Sequence, residues 1–183
     1  MRSRPDGVLF LLLVLLLLLV LVRCGGSPGP TTLRAVPAGP SDSSPPPGAV
    51  NPVVTQANIA TTICKRGWTA TIRPPASYTS ALKRQQIAAR HLADTNPAHY
   101  EEDHSVPLEV AGAPRDPANL WPELRESAGA PKGYGVETKD RLENYIRAQV
   151  CSGAMSLAEG QGVFIGGNFF RWRDRILGLG VVP

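Results

Sequence analysis

The chain has little cysteine, few aromatics and no marked excess of one charge. It carries three cysteines in 183 residues, 6% aromatic residues and a formal charge of +4. Three cysteines cannot build a disulfide-dense mini-scaffold. With no CxxC pair and no histidine at finger spacing, they also argue against a structural zinc site. The charge falls short of the basic excess usual in strong nucleic-acid binders. There is one long apolar run and no internal repeat, which excludes a polytopic membrane protein and a repeat array.

What is present is unevenly distributed. Residues 8 to 22 are all apolar, and residues 25 to 52 hold 8 Pro and 5 Gly, with too few large apolar groups to offset ordering entropy. Removing both leaves about 131 residues, enough for one compact core. Charge divides similarly. Residues 49 to 95 set six Lys/Arg against Asp94, whereas residues 96 to 143 set ten carboxylates against five basic groups. A basic half beside an acidic half fits a phosphate-binding surface next to a cation site, and it equally fits two ordinary solvated faces.

Arg2 and Arg4 precede the apolar run and Arg23 follows it. As a helix the run spans about 22 Å, short of the roughly 30 Å hydrocarbon core. Residues 1–26 therefore read as a secretory signal or a membrane anchor. Cys24, in LVRC, also resembles a lipidation site, although Arg23 stands where that motif has a small residue. A cleaved signal, a lipid on Cys24 and an uncleaved anchor all place the rest of the chain outside the cytoplasm. Residues 27–52 read as a Pro/Gly-rich disordered linker, and residues 166–183 as a tail of uncertain structure. In an exported protein Cys64 and Cys151 are expected to pair.

Periodicity predicts a short strand at Trp68–Ile72, stopped by Pro74 and Pro75. A helix is predicted over Tyr78–Leu92, capped by Thr79 or Ser80, with Leu82, Ile87, Ala88 and Leu92 on its apolar face. A second helix is predicted from Lys139 to Val150 with Thr138 as cap and Leu142, Tyr145, Ile146 and Val150 facing inward. A third covers Ser156–Phe164. Trp68, Trp121, Tyr100 and Tyr145 are expected in the core.

The chemistry-bearing stretch is Tyr100-Glu-Glu-Asp-His-Ser-Val-Pro-Leu-Glu109, followed by Gly112 and Asn119-Leu-Trp-Pro122. An Asp directly before a His lets the carboxylate hold a hard cation while the imidazole takes a proton from water. An Asn in the following loop can pin its backbone. A further cation ligand is expected from the helix beginning near Lys139, which offers Asp140, Glu143 and Asn144. Arg115, Lys132, Arg141 and Arg147 are candidates for steering phosphates, and His99 for an extra ligand.

The pattern E-D-H-x-x-P-L-E, Gly112, N-L-W-P resembles the HNH endonuclease superfamily. More closely, it resembles small exported HNH-like proteins of actinobacterial type. NPVVTQANIATTIC at 51 to 64, GWTATIRPP at 67 to 75, YTSALKRQQ at 78 to 86 and KDRLENYIRAQVCSG at 139 to 153 support the likeness. The resemblance implies an α+β fold with a small ββα-metal core over residues 53–165 and flanking helices. It implies a metal-dependent nuclease in which His104 is the general base, Asn119 the middle Asn and Asp103 a metal ligand. Asp140 is the first choice for the helix ligand and Glu143 the second. One divalent ion (Mg, Mn, Ni or Zn) is implied, with DNA or RNA as substrate, no organic cofactor and a monomeric domain. Two departures stand out: Arg147 lies where relatives often have His, and Ala111 replaces one of two paired glycines. A second reading is a non-catalytic envelope or surface protein that keeps a degenerate HNH-like core for binding or structure.

Overall fold

The computed structural model describes residues 44–167, with Phe169, Trp172, Arg173 and Gly178. The signal or anchor at 1–26, lipidation at Cys24 and the first part of the linker lie outside the described residues. Among the described residues, no helix is long and apolar enough to cross a membrane.

The fold is α+β: four α-helices, several single 3₁₀ turns and one two-stranded antiparallel sheet lie among the described residues. Trp68–Ile72 is a helix, α1, and not the expected strand. Its Thr–Ala alternation is too short and too small in side-chain size to force a period of two. Gly67 turns the chain into it at φ 81°, and Trp68 packs half-buried against the main core. Helix α2, Ala76–Ala89, starts directly after Pro75, two residues earlier than Tyr78 and without a cap from Thr79 or Ser80. Pro75 sets an extended entry, and Thr79 bonds instead back to the carbonyl of Ala76. Ile87 joins Leu92, Tyr100 and Leu124 in a small cluster against the sheet.

Strands β1, Tyr100–His104, and β2, Leu120–Leu124, pair with Glu102 opposite Pro122 and Asp103 opposite Trp121. A two-stranded sheet leaves both outer edges free, so Pro122 is tolerated. Between the strands the chain doubles back on itself. A Cβ on Gly112 would fall 1.7 Å from the Val106 carbonyl oxygen, so only glycine fits. Ala111 takes the left-handed conformation at φ 64°.

Helix α3, Val136–Ser152, begins after Gly135, before the expected Lys139 start. Thr138 is inside it and donates its hydroxyl to Glu126 rather than capping. Leu142, Ile146 and Val150 are buried with Ile63, Val106, Val110 and Phe164, whereas Tyr145 is exposed, against expectation. Each such aliphatic side chain contributes about 1.5–3 kcal/mol on burial. Tyr145 falls next to the buried row rather than in it, and the core beneath is already filled. Helix α4, Leu157–Gly162, opens with a reciprocal Ser156–Glu159 capping box. Cys64 and Cys151 form a disulfide with their Cα atoms 5.5 Å apart, fastening α3 to the segment before α1.

The expected domain ends both fall inside packed structure. Ser105 donates to the Pro46 carbonyl, Arg90 to that of Ser44, and Asn51 to that of Ala111. Residues 44–52 are therefore part of the fold and not tether. Beyond 165, Phe169 packs 6.5 Å from Phe164 between ring centroids, and buried Arg173 lies over the Tyr134 ring.

Candidate functional site

Successive residues of β1 face opposite sides of the sheet. This alternation separates the residues expected to act together. Asp103 turns towards α3, while Glu102 and His104 turn towards α2.

On the α3 side the place of a cation is taken by a side chain of the protein. Lys139, in the first turns of α3, is fully buried. Its ammonium donates to Asp103 Oδ2 at 2.6 Å, to Glu143 Oε1 at 2.6 Å and to the His104 carbonyl oxygen at 2.8 Å. Glu123 of β2 approaches to 3.8 Å, is 1% exposed, and is hydrogen-bonded to Asp103 rather than to the lysine. One ammonium thus joins both strands to the helix.

The electrostatics follow from three acids around one cation. Burial raises the Asp103 carboxyl, but the Lys139 charge and hydrogen bonds overcome it and hold the group at about 2. Burial likewise lowers the Lys139 ammonium, and the surrounding acids outweigh this, lifting it well above its ordinary value. Burial pushes Glu123 well up and Glu143 to about 8, against the pull of Lys139. Lys139⁺ and Asp103⁻ form the charged pair of the cluster, and burial favours the protonated form of both glutamates.

These residues do not fit a divalent ion as arranged. The oxygens that would bind it are already hydrogen-bonded to an ammonium. Among the described residues, no group of three or more His, Cys, Asp or Glu side chains is placed to hold a metal. Glu143 reaches the expected position, one turn beyond Lys139, but its partner is the lysine. Asp140 is exposed and makes no hydrogen bond to Asp103 through its side chain. It takes no part in the Lys139 contacts, so the first-choice ligand is corrected to a carboxylate beside the cluster and not in it. Although the residue as a whole is exposed, its carboxyl is partly covered, and this burial with the nearby Asp103 charge raises its pKa.

On the α2 side His104 is 3% exposed and lines a groove of about 250 Å³. Arg73, Thr79, Ser80, Lys83, Glu101, Glu102 and Arg125 also line it. The Pro114 carbonyl can only accept, so the 3.1 Å contact requires His104 Nε2 to carry the proton and leaves Nδ1 as a lone-pair acceptor. Burial lowers the imidazole pKa, the Asp103 charge opposing, so the ring is neutral at pH 7. Lys83 donates to the Tyr100 carbonyl and Arg125 pairs with Glu101 at 2.8 Å, while among the described residues the Arg73 side chain has no hydrogen bond or ion pair. Both oxygens of Glu102 are buried without partners, and burial lifts this carboxyl to about 8 despite Lys83 and Arg90.

Asn119 is fully buried and uses all of its amide. It accepts from Val106 N and Ala49 N and donates to the carbonyls of Val106 and Ala113. It pins the loop beyond β1, as expected of an Asn there, and its side chain makes no hydrogen bond to His104. The basic residues expected to steer phosphates sit elsewhere. Arg115 lies over the Tyr78 ring, Arg141 donates to Thr138, Arg147 donates to the Ile63 carbonyl, and exposed Lys132 is not among the groove residues. His99 pairs with Asp94 at 2.5 Å, away from Asp103. A larger cavity of about 500 Å³ runs along β2 between Leu92, Tyr100, Trp121 and Tyr134 and contains none of the expected catalytic groups.

Sequence reasoning missed Lys139, Glu123, Arg73 and Lys83. A signal existed for the first: Lys139 and Glu143 are four apart on a helix, the spacing of an ion pair. No family model, curated protein or solved structure matches this chain.

Proposed function

We propose that this protein is an exported binding module with a degenerate HNH-like core, which holds an anionic ligand in the His104 groove without hydrolysing it. The observation that carries this reading is the Lys139 ammonium in the acidic cage. The β1–β2–α3 arrangement offers its cation position to an internal lysine, which is buried and cannot touch a substrate. His104 lies on the opposite face of β1 from that lysine, so no single ligand group reaches both. The groove supplies Arg73 and Lys83 for an anion, Thr79 and Ser80 as hydroxyl partners, and protonated Glu102 as a possible donor. Nucleic-acid phosphates are the ligand class the HNH likeness favours, and they meet these groups as salt-sensitive contacts. The Cys64–Cys151 disulfide and the apolar run at residues 8–22 support a place outside the cytoplasm, secreted or held at the outer face of the membrane.

A second reading, hydrolysis with His104 as base, is favoured by one observation. The Pro114 carbonyl fixes the neutral ring with Nδ1 free to take a proton. One experiment separates the two. The purified protein is incubated with labelled single- and double-stranded DNA and RNA, alone and with Mg²⁺, Mn²⁺, Ni²⁺ or Zn²⁺, and both binding and cleavage are read. The binding module retains the oligonucleotide at low salt, loses it at high salt, leaves it intact, and binds it several-fold more weakly as Arg73→Ala. Cleavage that disappears in His104→Ala overturns the non-hydrolytic reading.

A further inference from the structure

We propose that Lys139 is the resident cation of this fold. In this reading the native protein needs no metal, and the carboxylates around Lys139 become a divalent-cation site only when the lysine is removed. The inference shares the cage with the non-hydrolytic reading, but it concerns what holds the domain together and not what the domain binds.

Three features support it. First, the acids converge from three separate elements, Asp103 from β1, Glu123 from β2 and Glu143 from α3, and the only cation among them is covalently part of the chain. An ammonium at 2.6 Å from two carboxylate oxygens and 2.8 Å from a carbonyl oxygen occupies nearly the space of a hard cation, since calcium–oxygen distances are about 2.3–2.6 Å. The His104 carbonyl completes an all-oxygen donor set of the kind such ions prefer.

Second, Glu123 is aimed into the cage and almost wholly buried, yet it takes no hydrogen bond from Lys139; its hydrogen-bonding neighbour is the Asp103 carboxylate. Lys139 has three N–H groups, and Asp103, Glu143 and the His104 carbonyl already take them. A buried acid left over by a monovalent, three-donor cation is what remains when a site with more oxygen donors than an ammonium can serve is filled by a lysine. At 3.8 Å from Nζ, Glu123 must close in before it can bind an ion. Removing the lysine side chain gives it the room.

Third, the charge count differs between the two occupants. Lys139 brings one positive charge to three carboxyl groups. A divalent ion without the lysine brings two, and the cage contains the carboxylates to balance them. The same site can therefore change occupants without a new residue.

The test uses the full chain, comparing the natural protein with Lys139→Ala, Lys139→Met and Asp103→Asn/Lys139→Ala. Thermal melting is followed in EDTA and then with Ca²⁺ or Mn²⁺ added. The natural protein is expected to melt at the same temperature throughout. Lys139→Ala should melt about 10 °C lower or more in EDTA, as befits a broken buried ion cluster. It should regain part of that loss with Ca²⁺ or Mn²⁺. Lys139→Met fills the space without a charge and should be destabilised but unresponsive to either ion. The double variant should lose the rescue, because a principal ligand has gone. If Lys139→Ala does not accumulate, refolding from urea with and without the ion reads the same property by circular dichroism. Recovery that needs the ion supports the proposal, and no recovery with either ion overturns it. A natural protein whose melting falls in EDTA also overturns it, as does Lys139→Met or Lys139→Ala melting with the natural protein. Nucleic-acid cleavage would sink the non-hydrolytic reading and leave these melting results, and the proposal, standing.

Discussion

The two faces of β1 differ in kind although they are built from adjacent residues. Towards α3 the strand offers Asp103, and the groups around it are buried and paired with one another. Towards α2 it offers Glu102 and His104, and the groups around them border an open groove with an unpaired Arg73 and an unsatisfied acid. Residues 102 to 104 thus place a structural cluster and a ligand-ready surface back to back. The difference separates two properties that an Asp-His dipeptide suggests together. The aspartate serves the fold, and in the proposed reading the histidine borders the ligand groove.

The comparison can be broken most severely on the closed face. Lys139→Ala leaves Asp103 as a buried charge without its partner and should cost about 3–5 kcal/mol, read by urea unfolding. A cost below about 1 kcal/mol would make the cluster a bystander. On the same face, replacing Cys64 and Cys151 by alanine releases α3 from the segment before α1. This should cost about 2–5 kcal/mol in the same assay.

The open face should respond to pH instead. Folded Glu102 keeps its proton to about 8 against an ordinary 4.5. Between those values the folded protein binds a proton that the unfolded chain has lost, so stability falls as pH rises through this window. Below about 4.5 both states are protonated and the group has no effect. Glu102→Gln should remove this share of the decline and make the protein more stable than the natural one at pH 8, by several degrees in melting temperature. A variant that melts in parallel with the natural protein from pH 5 to pH 8 contradicts the assignment. The smallest effect is expected where the loop from β1 begins its return. Ala111 holds φ 64°, a conformation that glycine adopts freely, so Ala111→Gly should stabilise by about 0.5–1 kcal/mol in urea unfolding.

Much of this architecture was legible in the sequence, and the misses have physical causes. The α2 and α3 helices, the helix beginning at Ser156 and the Cys64–Cys151 pairing follow from periodicity and from the expectation of export. Trp68–Ile72 was misread because alternation over only five residues carries little information about period. Tyr145 was misplaced by a single position around the helix, where the buried face ends. The candidate site was legible as a set of acids and a histidine, and Asp103 and Glu143 do share one cation. That the cation is Lys139 could not be read locally. It depends on where the first turns of α3 sit against β1, which is a tertiary fact. The groove's Arg73 and Lys83 come from segments before the motif and carry no spacing signal that links them to His104.

The central claim is that the acidic cage is filled by the protein's own ammonium. Diffraction from crystals soaked in Mn²⁺, with anomalous data collected at the manganese edge, tests it most directly. The account predicts density for the Lys139 side chain reaching Asp103 and Glu143, and no anomalous peak between them. A manganese peak in the cage, with Lys139 displaced from Asp103, would contradict it.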